Sequence, residues 1–410
     1  MNKCRLIILL MAFACIPPES AFPAPLPAVR EARALWVECE GSQETMSSRK
    51  KIDEMVARAK SSGFNILFVQ VYLHDRAWFN SSYADTAPYR LALQKEKIDP
   101  LAYVLAKAHA AGLEVHAWVN IFRIGKNLQT PILRRLGKNA VTANGEGRSL
   151  LRSQPEDLPD GGYWLEPADQ SVRVHLFRLI EELVRRYPSL DGIQLDFIRY
   201  PYQAAYAGSL WAQRKDFGYG KAAVERYKAE TGINPLTMEL NRANCQAWDD
   251  WRRRQVTDLV RDIAALVKKA SLSSPAKKEK PALKLSAAAV SYLDRAYLSA
   301  YQDWRGWLEE GIVDFIAVMN YSTDSRLTRY LTRASVAAQN HRQVYIGLGA
   351  YLLLDRPAAL IEQIGDCRNA GAPGIALFSY DAMMTAPRIF DLIRAQAFGR
   401  PAAVPAMPWK

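Results

Sequence analysis

Asp191-Gly192-Ile193-Gln194-Leu195-Asp196-Phe197 is the stretch on which the fold of this chain turns. Side chains alternate along a β-strand, so Ile193 and Leu195 share one face while Gln194 and Asp196 share the other. The run is short and opens on Asp-Gly; a helical pattern precedes it at residues 170–187 and another follows at 246–270. The same unit repeats outward in both directions. Towards the N-terminus, β-rich runs lie at residues 31–38, 64–71 and 113–119, with helical patterns at 49–61 and 98–111. Towards the C-terminus, runs lie at 283–290, 312–319, 343–348 and 373–378, with helical patterns at 299–310, 327–339, 357–370 and 387–397. Gly63, Gly112, Gly311 and Gly371 each stand between a helical pattern and the next run, as helix-ending glycines do. Alternating β and α elements predict a parallel sheet, and eight repeats predict an α/β fold of the closed (β/α)8 TIM-barrel type. A doubly wound open sheet is the rival, but no Gly-rich phosphate loop follows the first run. Two segments exceed ordinary connections, residues 121–169 after strand three and 199–244 after strand four. Both leave the C-terminal ends of strands, where barrels carry their chemistry.

Composition narrows the classes of function. Of 410 residues 49% are hydrophobic, enough for a large buried core. Lys and Arg number 54 against 42 Asp and Glu, a net charge of +12 that favours anionic partners only mildly. Five cysteines do not make a disulfide scaffold. Beyond the N-terminus no apolar run is long enough to cross a bilayer. A channel, a collagen and a mini-protein are thereby excluded. The charge comes with no recognition motif or basic helix, so nucleic acid is not an expected partner.

The N-terminus reads as an export signal. Lys3 and Arg5 precede an uncharged apolar run from Leu6 to Ile16. Cleavage after Ala21 or Ala24 would release the chain, whereas Ala12-Phe13-Ala14-Cys15 offers a lipoprotein box with Cys15 as the acylated residue. Residues 1–24 are expected to be the signal, 25–30 a proline-rich spacer, 31–398 the barrel and 399–410 a proline-rich tail. The expected compartment is the periplasm or cell envelope, with membrane contact only through an anchor at Cys15. Either cut leaves Cys39, Cys245 and Cys367, which permit one disulfide at most. The second insertion is aromatic, with Tyr200, Tyr202, Tyr206, Trp211, Phe217, Tyr219 and Tyr227. Such residues suit flat sugar rings, and equally suit a small core of the insertion's own. The lysines between Lys268 and Lys284 read as solvated surface on the opposite face.

Polar residues recur on one face of the first four strands. Trp36, Glu38 and Glu40 stand opposite Leu35 and Val37; Gln70 and Tyr72 opposite Val69 and Val71; His116, Trp118 and Asn120 opposite Val115 and Val119. The apolar set belongs against the surrounding helices, so the polar set is expected to face the barrel axis near its mouth. Buried carboxylates, amides and imidazoles are costly unless they pair with one another or do chemistry.

Ala34-Leu35-Trp36-Val37-Glu38, Phe68-Val69-Gln70-Val71, His116-Ala117-Trp118-Val119-Asn120, Asp191 to Pro201 and Met319-Asn320-Tyr321 follow one another in this order. Together they resemble the bacterial family-10-like glycosyl hydrolases, over roughly residues 30 to 398. The resemblance implies a TIM-barrel domain, export, and hydrolysis of glycosidic bonds in a polysaccharide, in some members the glycan strands of peptidoglycan. Family 18 chitinases, in contrast, carry acids where this chain has Gln194 and Ile198, so their substrate-assisted chemistry is not expected. Glu166, in Trp164-Leu165-Glu166-Pro167, departs from the commoner Asn or Asp of the resembled family.

Glycoside hydrolysis needs two carboxyl groups flanking the bond, one to protonate the leaving oxygen and one to act as nucleophile or base. Asp196 is the first candidate and Asp324, just past strand six, its first candidate partner; Glu38 and Glu166 follow. An N-cap is the competing reading of Asp324, in Ser322-Thr323-Asp324. Gln70, His116, Asn120, Asn320 and Tyr321 are candidates for holding sugar hydroxyls, Trp118 and Trp164 for stacking on a ring. Arg199 would keep Asp196 ionised or hold an acidic substituent, with Tyr200 beside it. No cofactor is expected. The five histidines show neither HxH nor HExxH spacing, so no metal site is expected either. The alternative function is a non-catalytic carbohydrate-binding envelope lipoprotein, which would keep the aromatic residues without depending on Asp196.

Overall fold

The computed structural model describes residues 29–201, 216–273 and 282–410. The expected signal with Cys15, the aromatics Tyr202, Tyr206 and Trp211, and the lysines at 277, 278 and 280 lie outside them. Eight parallel strands close on themselves: β1 (Ala32–Val37), β2 (Ile66–Leu73), β3 (Glu114–Asn120), β4 (Gly192–Asp196), β5 (Lys284–Val290), β6 (Phe315–Met319), β7 (Gln343–Gly349) and β8 (Gly374–Phe378). Each pairs with its neighbour in sequence, and β8 pairs with β1 through Gly374–Ala32 to Leu377–Leu35. A helix follows each strand on the outside: α1 (Arg49–Ser61), α2 (Pro100–Ala110), α3 (Gln170–Arg186), α4 (Arg242–Ser273), α5 (Trp304–Glu309), α6 (Ser325–Ala337), α7 (Pro357–Asn369) and α8 (Arg388–Gln396). This is the (β/α)8 barrel that the sequence predicts. The helix-ending glycines are in the left-handed region, as at Gly63 (φ 88°) and Gly371 (φ 81°), where a side chain would be strained.

Strand alternation divides the interior into two cores. Leu35, Val37, Val69, Val115, Ile193, Leu195, Ile316 and Ile346 face outward and pack under the helices. Ala34, Trp36, Phe68, Trp118, Phe315, Ala317 and Tyr345 face the axis and fill the barrel. Phe315 stacks on Tyr345 with centroids 4.3 Å apart, and His116 stands 5.5 Å from Phe68 and 5.7 Å from Phe315. One expected facing is wrong. A β-bulge between Gln70 and Tyr72 sets Tyr72 opposite Val119, an outward residue, so Tyr72 joins the outer core while Gln70 stays inside.

The end of the barrel at the strand N-termini is sealed. Glu114 and Lys284 pair at 2.7 Å inside it, which corrects the reading of Lys284 as solvated surface; Lys268 and Lys269 are exposed. Ala402–Ala403 pairs in parallel with Val29–Arg30, Met407 is buried in the inner core, and Trp409 Nε1 donates to Asp314 Oδ1 (2.9 Å). At the other end the two insertions pack together. A hairpin joins Arg123–Gly125 to Tyr163–Trp164, and Ala143, Ala168, Tyr219, Tyr227, Trp248 and Trp251 form a separate small core. Tyr219 and Tyr227 therefore fold the insertion and are not free to meet a ligand. Cys39, Cys245 and Cys367 are buried, and among the described residues no disulfide joins them. Among the described residues no helix is long and apolar enough to cross a membrane.

Candidate active site

Asp196 ends β4 at the open mouth, and its side chain is buried. Its Oδ2 accepts from Trp118 Nε1 (2.9 Å) and its Oδ1 from the Phe197 amide (2.6 Å). Phe197 turns sharply off the strand with φ 48°, which brings that amide back onto the carboxylate. Burial pushes Asp196 above the usual carboxylate range; the two hydrogen bonds, and then Arg199 and Arg123, act in the opposite sense. Below it Trp36 Nε1 donates to Gln194 Oε1 (2.7 Å), and Gln70 Nε2 donates to Asn120 Oδ1 (3.1 Å). The inward polar side chains of the first four strands are thus largely joined in hydrogen-bonded pairs across the barrel.

Glu38 stands one residue past β1 on the same rim, half-buried, and accepts from Ser379 Oγ at 2.5 Å. Its backbone amide lies 3.3 Å from Asp381 Oδ2, and Asp381 Oδ1 accepts from the Gln43 amide (2.9 Å). Gly41 packs against Asp381 so closely that a Cβ would overlap the carboxyl. Burial raises the Glu38 pKa, Ser379 opposes it, and the like charge of Asp381 raises it further. Tyr321, in the loop after β6, is in the field of both acids. Burial pushes its phenol up, and the charges of Asp196, then Tyr351 and then Glu38, push in the same direction. Tyr321 stacks on Phe378 (5.5 Å, 27°), and Phe378 also meets Trp36, Trp118 and Tyr351 edge-on at 6.0 to 6.2 Å. Tyr351 remains 43% exposed, so the cluster opens to solvent as an aromatic wall beside the carboxyls.

Asp196, Glu38, Trp118 and Tyr321 are therefore brought together, with Gln70 and Asn120 just beneath. The other expected residues are placed elsewhere. Asp324 caps α6, accepting from the Arg326 and Leu327 amides (2.8 and 3.3 Å) with its side chain exposed. Asn320 turns away from the mouth and donates to Thr328 O and Thr332 Oγ1 (2.9 and 3.1 Å). Glu166 is fully buried and accepts from Thr142 Oγ1, Gly220 N, Tyr200 Oη and Ala168 N (2.7, 3.0, 3.2 and 3.3 Å), which ties the two insertions together. His116 lies deep in the barrel, 3.3 Å from Glu114. Arg199 lies over Trp164 (4.8 Å) and pairs with Asp160 (3.1 Å). Ser379, Asp381, Phe378, Tyr351 and Arg123 were not expected. The first three lie at or just past the end of β8, where the rule used for Asp196 would have found them. Among the described residues no cluster of His, Cys, Asp and Glu has the arrangement of a metal site.

Comparison with known proteins agrees with this fold. The chain is 25% identical over 422 residues to the glycosyl hydrolase YngK of Bacillus subtilis (strain 168), covering 93% of this chain and 74% of that protein. It is 25% identical over 304 residues to the glycosyl hydrolase DigH of Escherichia coli (strain K12), covering 70% of this chain and 63%, less than two thirds, of that protein. Among solved structures, the glycoside hydrolase domain of PgaB (BpsB) from Bordetella bronchiseptica matches with TM-score 0.66 at 13% identity, covering 89% of this chain and 99% of that one. The catalytic domain of β-amylase from Paenibacillus polymyxa matches with TM-score 0.57 at 11% identity, over 91% and 99%. At such identities the likeness to the solved structures concerns the fold. Residues 31–354 match the model of the family described as Glycosyl hydrolase-like 10. That match runs from the start of the barrel to the loop after β7, and on it this chain belongs to the glycosyl hydrolase-like 10 family of glycoside hydrolases.

Proposed function

We propose that this chain is an exported glycosidase that hydrolyses O-glycosidic bonds in an envelope polysaccharide, with Asp196 and Glu38 as its two carboxyls. The observation that carries the reading is the end of β8, which bridges the two acids at one mouth: Ser379 donates to Glu38, and Phe378 beside it meets Trp118, the donor to Asp196. The two environments differ in a way that divides the labour. Burial raises both carboxyls; against it Asp196 accepts an indole N–H and an amide N–H and has Arg199 and Arg123 in its field, all of which favour its anion. Glu38 has only the Ser379 hydroxyl acting in that sense and faces the like charge of Asp381, which favours its protonated form. Glu38 then gives its proton to the leaving glycosidic oxygen as the bond to the anomeric carbon breaks. Asp196 either attacks that carbon or takes the proton from the attacking water, and the anomer released first distinguishes the two. Trp118, Tyr321, Tyr351 and Phe378 supply the apolar wall for a sugar ring. Asp324 and Glu166 are assigned structural roles, as a cap and as an anchor of the insertions.

The first polysaccharide to test is peptidoglycan, as strands with and without stem peptides, by release of new reducing ends. Wild type is expected to release them, and Asp196→Asn to lose roughly 100- to 10,000-fold of the rate while still binding the glycan. Equal release by both proteins would remove Asp196 from the chemistry. Binding with no release by wild type from any glycan would favour a carbohydrate-binding role instead.

A further inference from the structure

Arg123 is placed unlike the other buried or half-buried arginines at the mouth. It follows β3 by three residues, at the base of the insertion hairpin, and is half-buried. Its Nε donates to the Asp160 carbonyl (2.9 Å), and its Nη1 lies 2.8 Å from His74 Nε2. The guanidinium lies over the Phe197 ring, 5.3 Å from the centroid. His74 Nδ1 in turn faces Glu40 at 3.5 Å. Neither group that Arg123 touches is a carboxylate. Arg199, beside it, has the Asp160 carboxylate at 3.1 Å; Arg123 makes no ion pair among the described residues. Asp160 and Asp196 reach it only through their longer-range fields. Gly161 and Gly162 run along the guanidinium, so that even a Cβ at Gly161 would stand 3.9 Å from Nη2.

A half-buried guanidinium in direct contact with no carboxylate is costly, and its fork of donors is shaped for one. We propose that Arg123 is the specificity-determining residue of a subsite beside Asp196 that takes a carboxylate carried on a sugar ring of the substrate. The proposal rests on the glycosidase reading above and names the substrate class of the same site. Two polysaccharide sources carry such a group: the lactyl ether of N-acetylmuramic acid and the C6 carboxylate of a uronic acid. Each places an anion at the edge of a ring whose apolar face would lie against the aromatic wall.

The test measures binding to the full chain of peptidoglycan oligosaccharides lacking stem peptides and of oligogalacturonides. Each is compared with its own carboxyl-reduced form. Wild type is expected to bind the carboxylate form of one source about 10- to 100-fold more tightly than the reduced form, the scale of a charge-assisted hydrogen-bonded pair. That preference should shrink as salt is raised. Arg123→Met should lose the preference while keeping its affinity for the reduced form. Arg123→Lys keeps the charge without the fork and should retain part of it, and it decides the matter if the Met variant does not fold. Equal binding of charged and reduced forms by wild type, no binding of either source, or a preference unchanged in Arg123→Met or Arg123→Lys overturns the proposal. Reducing-end release separates the two readings. A preference without any release keeps the subsite and sinks the hydrolase, and release without a preference does the reverse.

Discussion

Asp75 and His175 are buried groups whose titrations oppose each other. Burial pushes the Asp75 carboxyl up to about 6, although Tyr72 Oη and the Ile132 amide donate to it (3.1 and 2.7 Å). Its folded pKa exceeds its unfolded one, so its contribution to stability is full below about pH 4 and is lost as pH rises through about 6. Burial and then the Arg135 charge pull His175 down to about 4. Its contribution is full above about pH 6.5 and is lost as pH falls through about 4. Asp75→Asn should therefore gain stability relative to wild type between pH 4 and pH 7, by on the order of 3 kcal/mol. Urea unfolding at a series of pH values reads this directly, and a parallel pair of curves would refute it. Glu166→Ala, which strands four donors inside the insertions, should cost about 2–4 kcal/mol in the same assay and leave turnover per folded molecule intact. Loss of turnover at unchanged stability would make Glu166 an acid of the reaction.

Elements show why Asp324 resembled a catalyst in the sequence. It follows a barrel strand, as catalytic acids do, and it opens a helix, as caps do. Only the path of the intervening loop decides between them. Asp324→Ala should lower stability by about 1 kcal/mol and leave glycan cleavage unchanged. Cleavage lost without a change in the unfolding midpoint would reverse that assignment. The same dependence on loop path accounts for what the sequence made legible. All eight strands and the helix after each were readable, because burial on two faces or on one stripe imposes a period on the residues. Where a boundary shifted, as at β6, which begins at Phe315 and not at Ile312, the apolar run marked burial and not pairing. Asp196, Glu38 and Trp118 were readable because strand parity carries them inward to the mouth. Asn320 was misplaced against that parity: with Phe315 and Ala317 facing the axis it falls on the outward face, and its amide turns to α6. A single extra residue in β2 likewise moved Tyr72 to the outer face, and nothing in the local pattern announces a bulge. Ser379 and Asp381 were readable only from their place just past β8, because no alternating pattern extends beyond the strand to mark them.

At the scale of the whole molecule, the closed end of the barrel is finished by the last residues of the chain. Val404, Met407 and Trp409 pack into the inner core, and Trp409 and Lys410 both reach Asp314 (2.9 Å each). Deleting residues 400–410 would open that core to water and leave the buried Asp314 without these two partners. The cost should be on the order of 3 kcal/mol, visible as a lower unfolding midpoint. Turnover at low temperature should survive, because the mouth lies at the opposite end. A truncated chain as stable as the whole would show that the inner core closes without this segment. The pairing of Val29–Arg30 with Ala402–Ala403 also fixes where the chain joins the barrel. Chain entering at residue 29 does so at the closed end. A pull applied through that segment would bear on the floor of the barrel and leave the open mouth, at the opposite end, unobstructed.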